Sequence, residues 1–212
     1  MNNLLPMFPL QLVVFPGEPL NLHIFEPRYQ QLIKECEEEG TTFGIPAHID
    51  GKVMEVGTEV ELVSIEKRYP NGESDVKTRG LGPFKVKQFF RKAPDKLYAG
   101  ADIDRLEYDN EQGDVSMNMG ILELVEELFA LLSIDKPLPQ DPANFQTFEL
   151  AHHVGFSLHQ EYQFLCIPEE SARQEYMREH LEKMLPMVRE MENLRKRAQM
   201  NGHFKNIIPP NI

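Results

Sequence analysis

Residues 8–33 carry two short apolar alternations, a proline–glycine break between them and a second proline that opens a helix, an order that leaves few folds open. Leu10, Leu12 and Val14 alternate with Gln11 and Val13, the period of a strand with one face turned inward. Pro16-Gly17 interrupts the run, because proline fixes φ and glycine supplies the conformations a tight reversal needs. Leu20, Leu22 and Ile24 then alternate with Asn21 and His23. Pro27 stops that strand and suits the first position of a helix, where its missing N–H costs nothing. Tyr29, Leu32, Ile33 and Cys36 follow at i, i+3, i+4 and i+7, one helical face.

Strand signals continue to about Leu106. Gly40 is placed to end the first helix, and Thr41–Pro46 predicts a strand behind it. Val60 and Leu62 alternate with Glu59, Glu61 and Val63, and Pro70-Asn71-Gly72 marks a hairpin tip. The return strand, Asp75–Arg79, runs into Gly80-Leu81-Gly82-Pro83, where two glycines predict a bulge or the close approach of another backbone. Phe84, Val86 and Phe90 form a further alternation, and Leu97, Ala99, Ala101 and Ile103 the last one. Phe89 and Phe90 are adjacent on a strand and must point to opposite faces, so one of them is exposed or covered from outside the strand's own core. About six short strands and one helix are best closed as a small barrel, which removes unpaired edges.

After Asp104 the period changes from two to 3.6. Glu107–Asp114 is polar and reads as a linker. Ile121, Leu124, Val125, Leu128 and Leu132 make a stripe widened by Leu122, Phe129 and Leu131, which demands burial around most of a helix. Pro137-Leu138-Pro139 separates it from a helix expected to start with Asp141 as N-cap and Pro142 at its first position. Ser157-Leu158-His159-Gln160 fits a capping box. Pro168-Glu169-Glu170 opens a long element whose face runs Met177, Leu181, Met184, Leu185, Val188, Met191 and Leu194, with Pro186 expected to kink or split it. The fold class is therefore α+β. The expected division is a barrel over 1–110, a helical bundle over 111–200 ending in a long helix, and a tail over 201–212, either frayed or docked on a neighbour.

Several short stretches in this order resemble one family. They are Phe8-Pro9-Leu10, Phe15-Pro16-Gly17, Phe25-Glu26-Pro27-Arg28-Tyr29, Phe43-Gly44-Ile45, Val56-Gly57-Thr58-Glu59-Val60 and Thr78-Arg79-Gly80-Leu81-Gly82-Pro83-Phe84-Lys85-Val86. Together they closely resemble the N-terminal domain of ATP-dependent Lon proteases, most sharply over residues 8–105 and by helical pattern to about 190. The resemblance implies a PUA-like β-barrel followed by a helical bundle. It also implies a stand-alone substrate-binding domain, kin to a peptidase family but without its ATPase and protease modules.

Composition limits the chemistry. Hydrophobic residues make up 41% and charged residues 26% of the 212, an ordinary globular balance. No apolar run approaches the roughly 20 residues that span a bilayer. The N-terminus does not read as a signal peptide, so the expected location is cytoplasmic with no membrane partner. A net charge of -12 repels phosphate backbones and disfavours nucleic acid. Lys85, Lys87, Arg91 and Lys92 form the compact basic stretch of the barrel, but they alternate with apolar residues as a solvated strand face does. Cys36 and Cys166 are expected as two buried thiols, since a reducing compartment disfavours a disulfide and two thiols make no zinc site.

No catalytic, cofactor or metal residue is assigned. Gly51-Lys52 lacks both the first glycine and the hydroxyl residue of a phosphate loop. Glu149, His152, His153, His159 and Glu161 lie close in sequence without a His-Glu-x-x-His spacing, and they read as surface or packing groups. Glu26 and Arg28 flank Pro27 with no nucleophile nearby. Their expected role is structural, with Arg28 tying the helix to the barrel wall. Met177, Met184, Met187 and Met191 either fill an irregular core or offer an adaptable apolar surface.

The function that the resemblance implies is a non-catalytic module that binds client polypeptides, or a protease or chaperone partner, through an apolar groove between barrel and bundle. A PUA-like RNA-binding protein is the alternative. Residues of a partner surface and the oligomeric state are left unassigned by the sequence.

Overall fold

The computed structural model describes residues 4–109 and 113–203. In chain order its elements are β1 (Leu5–Met7), β2 (Pro19–Ile24), α1 (Pro27–Glu39), β3 (Phe43–Ile49), β4 (Lys52–Arg68), β5 (Ser74–Phe90), β6 (Ala99–Arg105), α2 (Val115–Leu132), a 3₁₀ helix (Thr147–His153), α3 (Leu158–Leu165) and α4 (Glu170–His203). They fall into two compact units. One takes in Met1–Asn110 with Ala151–Glu169, the other Glu111–Leu150 with Glu170–Ile212.

In the sheet unit the long strand β5 is the hub. Its first half pairs antiparallel with β2, Leu22 opposite Val76, and its second half with β6, Phe84 opposite Arg105. β4 follows β5 along the other edge and pairs with β3, β1 runs parallel to β3, and β6 returns to β1. The ring β5–β4–β3–β1–β6 therefore closes on itself and leaves β2 as a flanking strand, the closure the strand count called for. Leu32, Phe43, Ile45, Val60, Val76 and Ile24 fill the main core, and a second cluster joins Leu5, Met7, Phe84 and Ala101. Each such large side chain contributes about 1.5–3 kcal/mol by leaving water.

The glycines of the family-like stretches have packing reasons. A Cβ on Gly44 or Gly57 would stand 2.8 Å from the Phe84 ring, so both residues make room for that side chain. A Cβ on Gly80 would run into the Phe15 carbonyl. That close approach lets Gly17 N–H donate to the Gly80 carbonyl at 2.9 Å and Gly80 N–H to the Glu18 carbonyl at 2.9 Å, docking the Pro16-Gly17 turn on β5. The expected bulge is present as well. Val60 pairs with Gly80 and Glu59 with Gly82, leaving Leu81 as the extra residue, 45% exposed.

Helix α1 matches its prediction: Pro27 is in its first turn, Gly40 closes it in the left-handed conformation (φ 65°), and Tyr29, Leu32, Ile33 and Cys36 are buried. Several other expectations need correction. The first strand is Leu5–Met7 rather than Leu10–Val14, where only an isolated bridge joins Leu10 to Ala47. The expected inward face is kept, with Val14 in the main core, Leu10 and Leu12 packed against it and Gln11 exposed; the departure is Val13, which is buried as well because the stretch runs without a regular ladder. Asp75–Arg79 and Phe84–Phe90 are one continuous strand, since the Leu81 bulge absorbs the glycines without ending the ladder. Phe89 and Phe90 are both half-buried, Phe89 against the Phe84 cluster.

In the helical unit, Asp114 caps α2 by accepting from Met117 N at 3.1 Å. The helix expected after Asp141-Pro142 is a single turn, with Phe145 N donating to the Asp141 carbonyl at 3.1 Å, followed by the 3₁₀ helix. Pro186 does not split α4. It is exposed, and so is Glu182, whose carbonyl loses its partner at Pro186, so water can take up that bond. The sequence division at 110/111 also differs from the contacts, which gather Ala151–Glu169 with the sheet. Phe15 packs on Phe164 (ring centroids 6.0 Å), Val56 N donates to Tyr162 Oη at 3.3 Å and Asp109 N to the Pro168 carbonyl at 3.0 Å. Of the tail 201–212, residues 204–212 lie outside the described residues.

Candidate functional site

Helix α2 is more apolar than a single buried face requires. Ile121, Val125, Leu128 and Phe129 are buried, while Leu132 is half-exposed, a correction to the stripe that included it. Ser133 turns the chain in the left-handed conformation (φ 56°), and Ile134 N donates back to the Phe129 carbonyl at 2.9 Å. Pro137 and Pro139 then keep residues 134–140 from continuing as helix. The chain thus doubles back along α2 and leaves a groove of about 510 Å³. Its walls are Leu122, Phe129, Ala130, Ile134, Leu138 and Pro139, with Glu123, Glu126 and Lys136 at the rim. Apolar walls with a charged rim suit an apolar segment flanked by polar groups.

A second apolar surface lies on the last turns of α4, where Met187, Met191 and Leu194 are 63%, 68% and 56% exposed. Met177 is fully buried and Met184 half-buried. The methionines therefore divide between the two roles their sequence left open: core in the first half of the helix, surface in the second.

Several charged groups of the sheet unit pair with one another. Arg105 forks onto Glu59 at 2.6 and 2.9 Å, and that guanidinium holds the Glu59 carboxyl below the usual range. Glu35 accepts from Lys96 Nζ at 2.8 Å and from Tyr98 Oη; burial pushes its carboxyl up, but these donors outweigh it and leave it lowered. Lys87 pairs with Asp104 at 2.5 Å and Lys85 stands 3.9 Å from Glu55, so half of the basic strand stretch is already matched by carboxylates. Arg28 pairs with Glu26 at 2.6 Å and lies over its neighbour Tyr29 at 4.7 Å. It fastens the helix start to itself and not to the barrel wall, because a side chain at the first turn reaches its own flank first.

The histidines serve separate contacts. His152 Nδ1 meets Glu161 at 2.8 Å and Nε2 meets Glu18 at 3.1 Å, beside the Phe15 ring at 4.8 Å. Burial alone would lower its pKa, but the Glu161 and Glu18 carboxylates outweigh it and raise the imidazole from 6.5 to about 9. Held between these two carboxylates, His152 is a charge clamp that pins the 151–169 segment to the N-terminal turn. His159 pairs with Asp50 at 3.0 Å, and Glu149 accepts from Gln146 N at 2.9 Å. Among the described residues no group of three or more His, Cys, Asp or Glu could hold a metal ion. Both cysteines are free thiols; Cys36 is buried and pushed up to about 11 by that burial, whereas Cys166 is exposed, against expectation, at the end of α3. No helix among the described residues is long and apolar enough to cross a membrane.

The groove was missed in the sequence because its second wall is an irregular segment, and Pro137-Leu138-Pro139 signalled only a separator. The surplus of apolar residues on α2 was the one available clue.

Comparison with known proteins agrees with the fold. The family model described as the ATP-dependent protease La (LON) substrate-binding domain matches residues 4–198. A Lon N-terminal domain protein from Xanthomonas campestris is similar in structure with a TM-score of 0.64 and 24% identity, covering 82% of this chain and 95% of its own. The N-terminal domain of the Mycobacterium avium complex Lon protease is similar with a TM-score of 0.60 and 12% identity, covering 85% and 98%.

Proposed function

We infer what the chain does from one premise: it belongs to the ATP-dependent protease La (LON) substrate-binding domain family. The match supports a polypeptide-binding module. We propose that it is non-catalytic and takes apolar segments of client polypeptides into the groove beside α2. The family match over residues 4–198 carries this proposal. The apolar walls of the groove support its location, since Ile134 and Leu138 offer apolar contact area inside a charged rim.

The chain contains no tryptophan, so binding is best read on the client. A fluorescently labelled unfolded polypeptide titrated with the protein should show saturable anisotropy with a Kd on the order of micromolar, and a folded control should not. The double variant Ile134→Asp with Leu138→Asp should weaken binding about tenfold or more, the cost of putting charge on an apolar contact. Absence of saturable binding overturns the function; binding that ignores the double variant overturns the groove.

A further inference from the structure

One set of apolar residues on α4, half-buried at Met184 and exposed beyond it, is periodic. Met184, Met187, Met191, Leu194 and Ala198 are spaced three, four, three and four apart, the a/d spacing of a coiled-coil seam. This seam is not the face the helix uses in its own unit. Met177, Leu181 and Leu185 are buried on the bundle side, and at about 100° per residue the seam's centre lies about 100° around the helix from them. On the bundle side Arg189 grips Glu127 of α2, at 2.6 Å for one arm of the fork, which fixes the rotation of α4 and directs the seam outward.

We propose that this seam pairs, parallel and in register, with the same seam of a second copy of the chain. Charge beside the seam selects that occupant. Glu190 takes the g position and Arg195 the following e position, so in a parallel pair Glu190 of each copy faces Arg195 of the other. Arg195 already pairs within its helix with Glu192 at 3.3 Å, an exposed contact that the pairing can share or replace. A two-heptad coiled coil does not form from unfolded peptides, but here both helices are already folded and the nucleation cost is met. The seam buries less than a standard interface of about 1,600 Å², so the dimer is a weak, concentration-dependent one. Nothing in this pairing involves the α2 groove, so it stands or falls apart from client binding.

Sedimentation equilibrium on the full chain tests it. The mass should rise with concentration from 24.5 kDa towards twice that value, with a Kd on the order of tens of micromolar. Met187→Lys with Met191→Lys should hold the protein at the monomer mass while circular dichroism and urea midpoint stay unchanged, since both residues are exposed. Glu190→Arg should weaken dimerisation about tenfold by setting like charges opposite each other, and adding Arg195→Glu should restore it. Monomer mass up to about ten times that Kd overturns the proposal, as does a dimer indifferent to the methionine pair. Two other results would also overturn it by naming a different occupant. One is a dimer seen only after residues 204–212 are removed; the other is loss of client binding, without any change in mass, in the methionine variant.

Discussion

The two units bury different things. The sheet unit closes on phenylalanines and branched aliphatics, and its strands satisfy one another's backbone through the ring. The helical unit buries a polar network. Asn118 Nδ2 donates to the carbonyls of Pro142 at 2.8 Å and Phe145 at 3.0 Å, and Gln174 donates to Asn118 Oδ1 at 2.6 Å. Glu170 accepts from Thr147 N at 2.8 Å and from Arg173 at 2.7 Å, with Arg173 also over the Phe148 ring at 4.3 Å. The cause is the irregular path of residues 134–147. Its carbonyls and N–H groups have no ladder to join, and a buried backbone group without a partner costs about 1–3 kcal/mol. Side chains of α2 and α4 provide the missing partners.

The sharpest way to break this contrast is Arg173→Met. It leaves Glu170, 3% exposed, as a buried carboxylate without its cation, and should cost about 3–5 kcal/mol of stability in urea denaturation. A cost below about 1 kcal/mol would mean that the network is incidental to the helical unit.

The His152 clamp sets the next effect, in the sheet unit. Its folded pKa of about 9 lies above 6.5, so its contribution is fully present below pH 6.5 and is lost as pH rises through 9. With solvent screening discounted, about 2 kcal/mol should disappear across that window. The difference in urea midpoint between the wild type and His152→Gln should shrink between pH 6 and pH 9.5; a constant difference refutes the charge clamp.

The smallest effect is at Ser157. Its hydroxyl accepts from Gln160 N in a capping box at the start of α3, so Ser157→Ala should cost about 1 kcal/mol. The loss should appear as faster amide exchange in α3 before global unfolding.

Much of this molecule was legible because its signals are local. The Pro16-Gly17 turn, Pro27 at the start of α1, Gly40 at its end, the Asn71-Gly72 tip and the Ser157 box each depend on the conformation of a few consecutive residues. The two glycines after Arg79 announced both of their roles, a bulge and a close approach to Phe15. The misplaced elements failed for the same reason. Leu10–Val14 alternates as a strand does, but β1 takes the ring position from further upstream, and Leu10, Leu12 and Val14 pack against the core with only a single bridge to the sheet. Asp141-Pro142 has a helix start, yet Asn118 of α2 binds the carbonyls of Pro142 and Phe145 and holds that segment irregular.

By itself, the sequence determined the family, the α+β class, the turns and the buried face of α1, since these follow from period, capping and backbone restriction. Tertiary structure alone decided three things. It gathered residues 151–169 onto the sheet through His152, Tyr162 and Phe164, folded 134–140 back to make a groove, and turned Met187, Met191 and Leu194 to solvent. Each depends on which distant groups meet, and the hydrophobic and hydrogen-bonding potential of a residue does not say with whom it will be satisfied.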